Sequence, residues 1–146
     1  MQAQMLAPAA VLVLWSLIML MWMTATRFGA FKVANFDLSK AAPGGRGDSL
    51  NGVLPDNVMW KSHNFTHLME QPTIFYPTVV ILALTGAGAI DVAMAWGYVA
   101  LRIVHSIYQA TINRVPVRLV FFALSTVCLA VLAVRAVIAT LFGMGG

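Results

Sequence analysis

The chain has 146 residues, 60% of them hydrophobic and only 10% charged. A soluble domain of this length carries about 25% charge, so the apolar surplus has to face lipid. The net charge of +4 is spread over loops and helix ends rather than along one polar face. This excludes a nucleic-acid footprint and suits anionic headgroups.

The first apolar run, residues 6–26, is long enough to cross about 30 Å of hydrocarbon and stops at Arg27. The uncharged start Met-Gln-Ala-Gln lacks the basic flank of a signal peptide, so a retained helix is expected. Its methionines, Met19, Met21 and Met23, read as packing or lipid-facing surface. Residues 27–62 follow as a loop with Lys32, Asp37, Lys40, Arg46 and Asp48 and the Pro- and Gly-rich stretch at 42–48. The Arg-Gly-Asp triplet inside it is of a kind common by chance.

A second membrane segment is expected over 63–90, a third over 92–112 and a fourth over 117–142. All lie in one all-α domain covering 1–146. Pro72 either kinks the second segment or starts its regular part. Asn113-Arg-Val-Pro116 makes the last turn, with Pro116 near the first turn of the fourth helix. Both basic loops fall on one side of a four-helix chain. By the positive-inside rule they face the cytoplasm and both termini lie opposite. Cys128, alone in an apolar run, makes no intrachain disulfide or zinc cluster and reads as a small packing residue.

Ionisable groups in lipid are costly and need a partner or a task. In Trp60–Tyr76, a helix would bring His63, His67 and Glu70 to one face. In the third helix Arg102, His105 and Gln109 share a face, Tyr108 lies beside them, and Arg114 and Arg118 follow at the start of the fourth. These stripes should meet at one depth. The bland reading is a Glu70–Arg102 pair fixing helix packing. The surplus of cations instead suggests an anionic ligand. Asp91 and Arg135, toward the other side, are expected to pair with each other or, for Arg135, to snorkel.

Three pieces, Glu70-Gln-Pro-Thr-Ile-Phe-Tyr, Ala95-Trp-Gly-Tyr-Val-Ala-Leu-Arg-Ile-Val-His-Ser and Asn113-Arg-Val-Pro-Val-Arg118, together resemble the MAPEG family, the membrane-associated proteins in eicosanoid and glutathione metabolism. The resemblance implies a membrane four-helix bundle assembling as a homotrimer, with glutathione as cosubstrate between subunits at the cytoplasmic side. It further implies transfer of the thiol to lipophilic electrophiles, or reduction of hydroperoxides, in a bacterial-type inner-membrane protein. Under it, Glu70 holds the glutathione amino end, and Arg102, His105, Tyr108 and Arg114 line the site. His67 stands where the family usually has asparagine, and His63 where an arginine often stands. Arg118 is the residue that stabilises the thiolate. A free thiol has a pKa near 8.5, and lowering it by two units takes about 2.7 kcal/mol, within reach of a guanidinium at a helix start.

Two rival readings stand beside this one. His63-x-x-x-His67-x-x-Glu70, with His105 as a fourth ligand, has spacings that suit zinc or iron in a metalloenzyme. A non-catalytic membrane scaffold would also accommodate the histidine replacements. A transporter fits less well because no paired broken helices are visible. A soluble hydrolase is excluded by composition.

Overall fold

The computed structural model describes residues 1–143. Four helical spans in it are long and apolar enough to cross a membrane. The chain is an all-α membrane four-helix bundle.

Helix α1 covers Gln2–Val33, about 48 Å at 1.5 Å per residue. That exceeds the hydrocarbon thickness, so the helix projects beyond it. Arg27 ends the apolar run but not the helix. Its guanidinium donates to Ser62 Oγ at 2.6 Å. Hydroxyls within the apolar part bond back to the preceding turn, as Ser16 does to Leu12 O at 2.9 Å and Thr24 to Leu20 O at 2.8 Å. These hydroxyls therefore meet the hydrocarbon already satisfied.

The connection to the next span is folded rather than open. It contains two short 3-10 turns, Leu38–Lys40 and Gly47–Leu50. A small cluster of Phe31, Leu54 and Met59, with Phe36 and Leu50 against it, anchors the connection to α1 and α2. Asp37 caps the first turn, and hydrogen bonds from the Ser39 hydroxyl and then its backbone N–H hold the Asp37 carboxyl below the usual carboxylate range.

The second span is two helices, α2 over Asp56–Leu68 and α3 over Pro72–Thr85. Pro72 occupies the first turn of α3, where its missing N–H costs nothing. Met69, Glu70 and Gln71 therefore form a junction between two helices. Gly86 closes α3 with φ 104°, a left-handed value that favours glycine. Helix α4, Ala89–Thr111, then starts with Asp91 accepting from the Gly88 N–H at 2.8 Å. It ends at Asn113, also left-handed at φ 58°, and α5 runs over Val115–Phe142.

The core lies along the bundle axis. It gathers Met5, Leu12 and Met19 of α1, Phe75, Val79 and Leu82 of α3, Ala95 and Tyr98 of α4, and Leu129 and Leu132 of α5. Helix α5 packs most extensively on α4. Gly97 faces Cys128 there, and a Cβ at this position would lie 3.5 Å from its Sγ. Most of the remaining apolar surface of α5, including Leu119, Val127 and Val134, is exposed. In a membrane protein this is the surface for lipid or for another subunit.

Candidate functional site

The face of α4 turned into the bundle changes character along its length. Ala95 and Val99 are apolar, but Tyr98, Arg102, His105, Ser106 and Gln109 are all buried. Their spacings of four and three place them on one face. On the opposite face Val104 and Ile107 are exposed, as a lipid-facing surface requires.

Arg102 is completely buried, at 0% exposure. Its Nε donates to Tyr98 Oη at 3.2 Å, one Nη donates to Gln71 Oε1, and the other lies 3.0 Å from His67 Nε2. The guanidinium also stands 5.4 Å from the centre of the Tyr98 ring and 5.2 Å from that of Phe122. A guanidinium only donates, so His67 accepts through Nε2 and carries its proton on Nδ1. Nδ1 donates to Glu70 Oε2 at 3.0 Å. Gln71 passes the chain onward: its Nε2 donates to Thr126 Oγ1 at 2.9 Å, which donates to Phe122 O at 2.8 Å. A continuous polar path thus joins the α2–α3 junction to α4 and α5.

His67, His105 and Gln109 form one wall of a cavity of about 240 Å³, and Val115, Arg118, Leu119 and Phe122 of α5 form the other. The rings of His67 and His105 lie 4.9 Å apart. Arg118 stands in the first turn of α5, its Nη1 donating to Asn113 Oδ1 at 2.7 Å. That bond leaves most of its donors free, beside the unsatisfied backbone N–H groups of a helix start. Gln109 Oε1 is buried without a hydrogen-bond partner among the described residues. Such an atom needs a partner from a ligand or water.

The other residues singled out from the sequence lie outside this cavity. Glu70 is exposed, its side chain 62% open, and within the subunit it meets His67 rather than an arginine. The direct Glu70–Arg102 pair is replaced by the Glu70–His67–Arg102 bridge, because the α2–α3 junction puts the imidazole between the two charges. Arg114 is exposed at the helix start. Tyr108 packs its ring on Phe121, with centres 6.3 Å apart. His63 bonds Asn51 Oδ1 at 2.9 Å and so ties α2 to the preceding connection.

That contact also takes apart the metal arrangement. Among the described residues no three His, Cys, Asp or Glu side chains gather closely enough to hold a metal ion. His67 and Glu70 bond each other, and the His105 ring lies tilted against that of His67 at 32°.

Sequence reasoning missed Gln71 and Tyr98, and both carried a signal. Gln71 stands four residues after His67, and Tyr98 four residues before Arg102, each within reach of the same helical face. Asn64 was also passed over: it is buried, and neither its Oδ1 nor its Nδ2 has a hydrogen-bond partner.

A bundle of four membrane-spanning helices, with a cationic cavity between the ends of α2, α4 and α5, defines an integral membrane protein built around a polar intramembrane site. The chain belongs to the MAPEG family, whose family model matches residues 5–138, nearly its whole length. It is therefore a member of the membrane proteins of glutathione and eicosanoid metabolism. Curated proteins and solved structures, searched separately, give no match.

Proposed function

We propose that the protein is a membrane-bound, glutathione-dependent transferase or peroxidase. It acts on lipophilic electrophiles or hydroperoxides that arrive from the bilayer. The observation that carries this reading is the cavity in which Arg118, at a helix start, faces His67, His105 and the unpartnered Gln109 oxygen.

The residues suit a peptide thiol. Glutathione carries carboxylates, an amino group and a thiol, and when bound it supplies the nucleophilic sulfur. Arg118 offers a fixed positive charge where a thiolate would lie, and the start of α5 adds its dipole. Gln109 Oε1 accepts a hydrogen bond from an amide N–H. Glu70, exposed and acceptor-rich, holds an ammonium group, and His67 keeps the carboxylate in place. Arg102 acts behind these groups as a positioning residue: its donors are engaged by Tyr98, Gln71 and His67. His105 lines the peptide-binding wall, with His63, Tyr108 and Arg114 at its margin.

The cavity within one subunit is small for a tripeptide. The exposed Glu70 and Arg114 and the bare apolar face of α5 fit completion of the site by a neighbour in a homotrimer. The positive-inside rule, applied to the basic loops, supports a site on the cytoplasmic side with both termini opposite, and the resemblance adds a bacterial inner membrane as the proposed location.

The test is conjugation of glutathione to chlorodinitrobenzene by the purified protein. Arg118→Ala lowers the rate by about 10²–10³-fold, the usual cost of removing one stabilising donor, with only a small fall in melting temperature from the lost bond to Asn113. Undiminished turnover in that variant overturns the assignment of Arg118.

A further inference from the structure

A second cavity, of about 560 Å³, lies at the far end of α1, between that helix and the folded connection. It shares no residue with the cavity at Arg118. Its size falls within the roughly 300–1,000 Å³ of small-molecule sites. Phe28, Phe31, Phe36, Leu38, Leu50 and Val53 supply an apolar wall, and Phe28, Leu38 and Val53 are more than half exposed. Exposed side chains of this size on one concave surface mark a place where something apolar is bound.

The rim is cationic. Arg27 and Arg46 both line the cavity, and among the described residues neither forms an ion pair. Asp37 is engaged elsewhere, by Ser39 and by Lys40 Nζ at 3.7 Å. Arg27 is held in place from two sides. It donates to Ser62 Oγ at 2.6 Å, and Gly47 passes so close that a Cβ there would come within 3.2 Å of its Nη2. One hydrogen bond leaves a guanidinium with further donors to offer. Because α1 is longer than the hydrocarbon is thick, its last turns stand at the membrane–water boundary.

We infer that this cavity binds a single-chain anionic amphiphile, a long-chain carboxylate, with the head group on Arg27 and Arg46 and the acyl chain along the phenylalanine wall. The site combines an exposed, concave apolar surface, a pair of guanidinium groups without an ion-pair partner among the described residues and suited to carboxylate, and a position where amphiphiles partition. It stands independently of the reaction assigned to the cavity at Arg118.

The experiment uses the full chain in nanodiscs of phosphatidylcholine, which carries no net charge, with radiolabelled palmitate as probe. Palmitate binds saturably, and hexadecanol and hexanoate compete at least about tenfold less well, since each lacks one half of the recognition. Arg27→Gln with Arg46→Gln weakens binding by about tenfold or more. Val53→Trp, which fills the cavity and leaves both arginines in place, weakens it as well. Arg46→Gln alone, at an exposed side chain, gives a smaller loss and guards against any loosening of the Arg27–Ser62 contact. Absence of saturable binding overturns the inference, as does equal competition by hexadecanol or palmitate affinity unchanged in either the double arginine variant or Val53→Trp.

Discussion

Two arginines inside the bundle, Arg135 and Arg102, meet opposite fates. At one end Arg135 reaches Asp91 bidentately, through Nε to Oδ1 and through Nη2 to Oδ2 at 3.0 Å, while Asp91 also caps α4. Charge and hydrogen bonds close on themselves, and the pair serves structure. At the other end Arg102 is buried among neutral partners, and the nearest carboxylate, Glu70, stands one imidazole away. Arg118 lines the cavity with His67 and His105, and among the described residues it forms no ion pair. A charge paired with a carboxylate fixes helices; Arg102, held by neutral groups, instead sets the imidazole that lines the cavity.

Substitutions can separate these two roles. The largest effect should belong to Arg118→Ala, which is expected to lower activity by the factor given above and to cost only about 1 kcal/mol of stability through the lost bond to Asn113. Asp91→Ala should do the reverse. It strands Arg135 and uncaps α4, at a cost of about 2–3 kcal/mol once the partial exposure of Arg135 is allowed for. Melting in detergent would show the loss, and turnover per folded molecule should stay within twofold of wild type, about 0.4 kcal/mol. An activity loss matching that of Arg118→Ala would erase the distinction between the two ends.

Gln71→Leu comes next and mixes the two roles. It leaves an Arg102 donor and the Tyr98 hydroxyl without their acceptor, at about 1–3 kcal/mol of stability. It also frees His67 to shift, so glutathione affinity should fall together with melting temperature. Unchanged affinity would mean that Arg102 positions nothing. Gly97→Ala should be the smallest, within about 0.5 kcal/mol, because its new methyl meets Cys128 Sγ at an ordinary contact distance of 3.5 Å. A larger destabilisation would mean that the α4–α5 contact is tighter than its geometry indicates.

Much of this contrast was legible in the chain. Charge-poor runs of membrane length announced the bundle, and the spacing of Arg102, His105 and Gln109 announced the polar stripe. Of the two alternatives that the shared depth of Asp91 and Arg135 allowed, pairing and snorkelling, the structure shows pairing. Other features were hidden for physical reasons. Arg27 breaks the apolar pattern but not the helix, because its guanidinium finds Ser62 beyond the hydrocarbon. Residues 27–62 read as one loop of turn formers, whereas α1 runs on to Val33 and α2 starts at Asp56; Phe36, Leu50 and Leu54 are too scattered to signal a cluster before they fold onto Phe31 and Met59. The role of Gln71 depended on how Pro72 divides the second span, which spacing left open. The place of Glu70, on an imidazole instead of a guanidinium, followed from that same division.

The central claim is that Arg118 and the start of α5 stabilise a thiolate. The direct measurement is the ultraviolet absorbance of the thiolate when glutathione is added to the protein in detergent, titrated across pH. Wild-type protein should show a bound thiol ionising about two units below the free one, equivalent to about 2.7 kcal/mol, and Arg118→Ala should lose the shift. An absence of thiolate signal in the wild type, or a full signal in Arg118→Ala, would contradict the account.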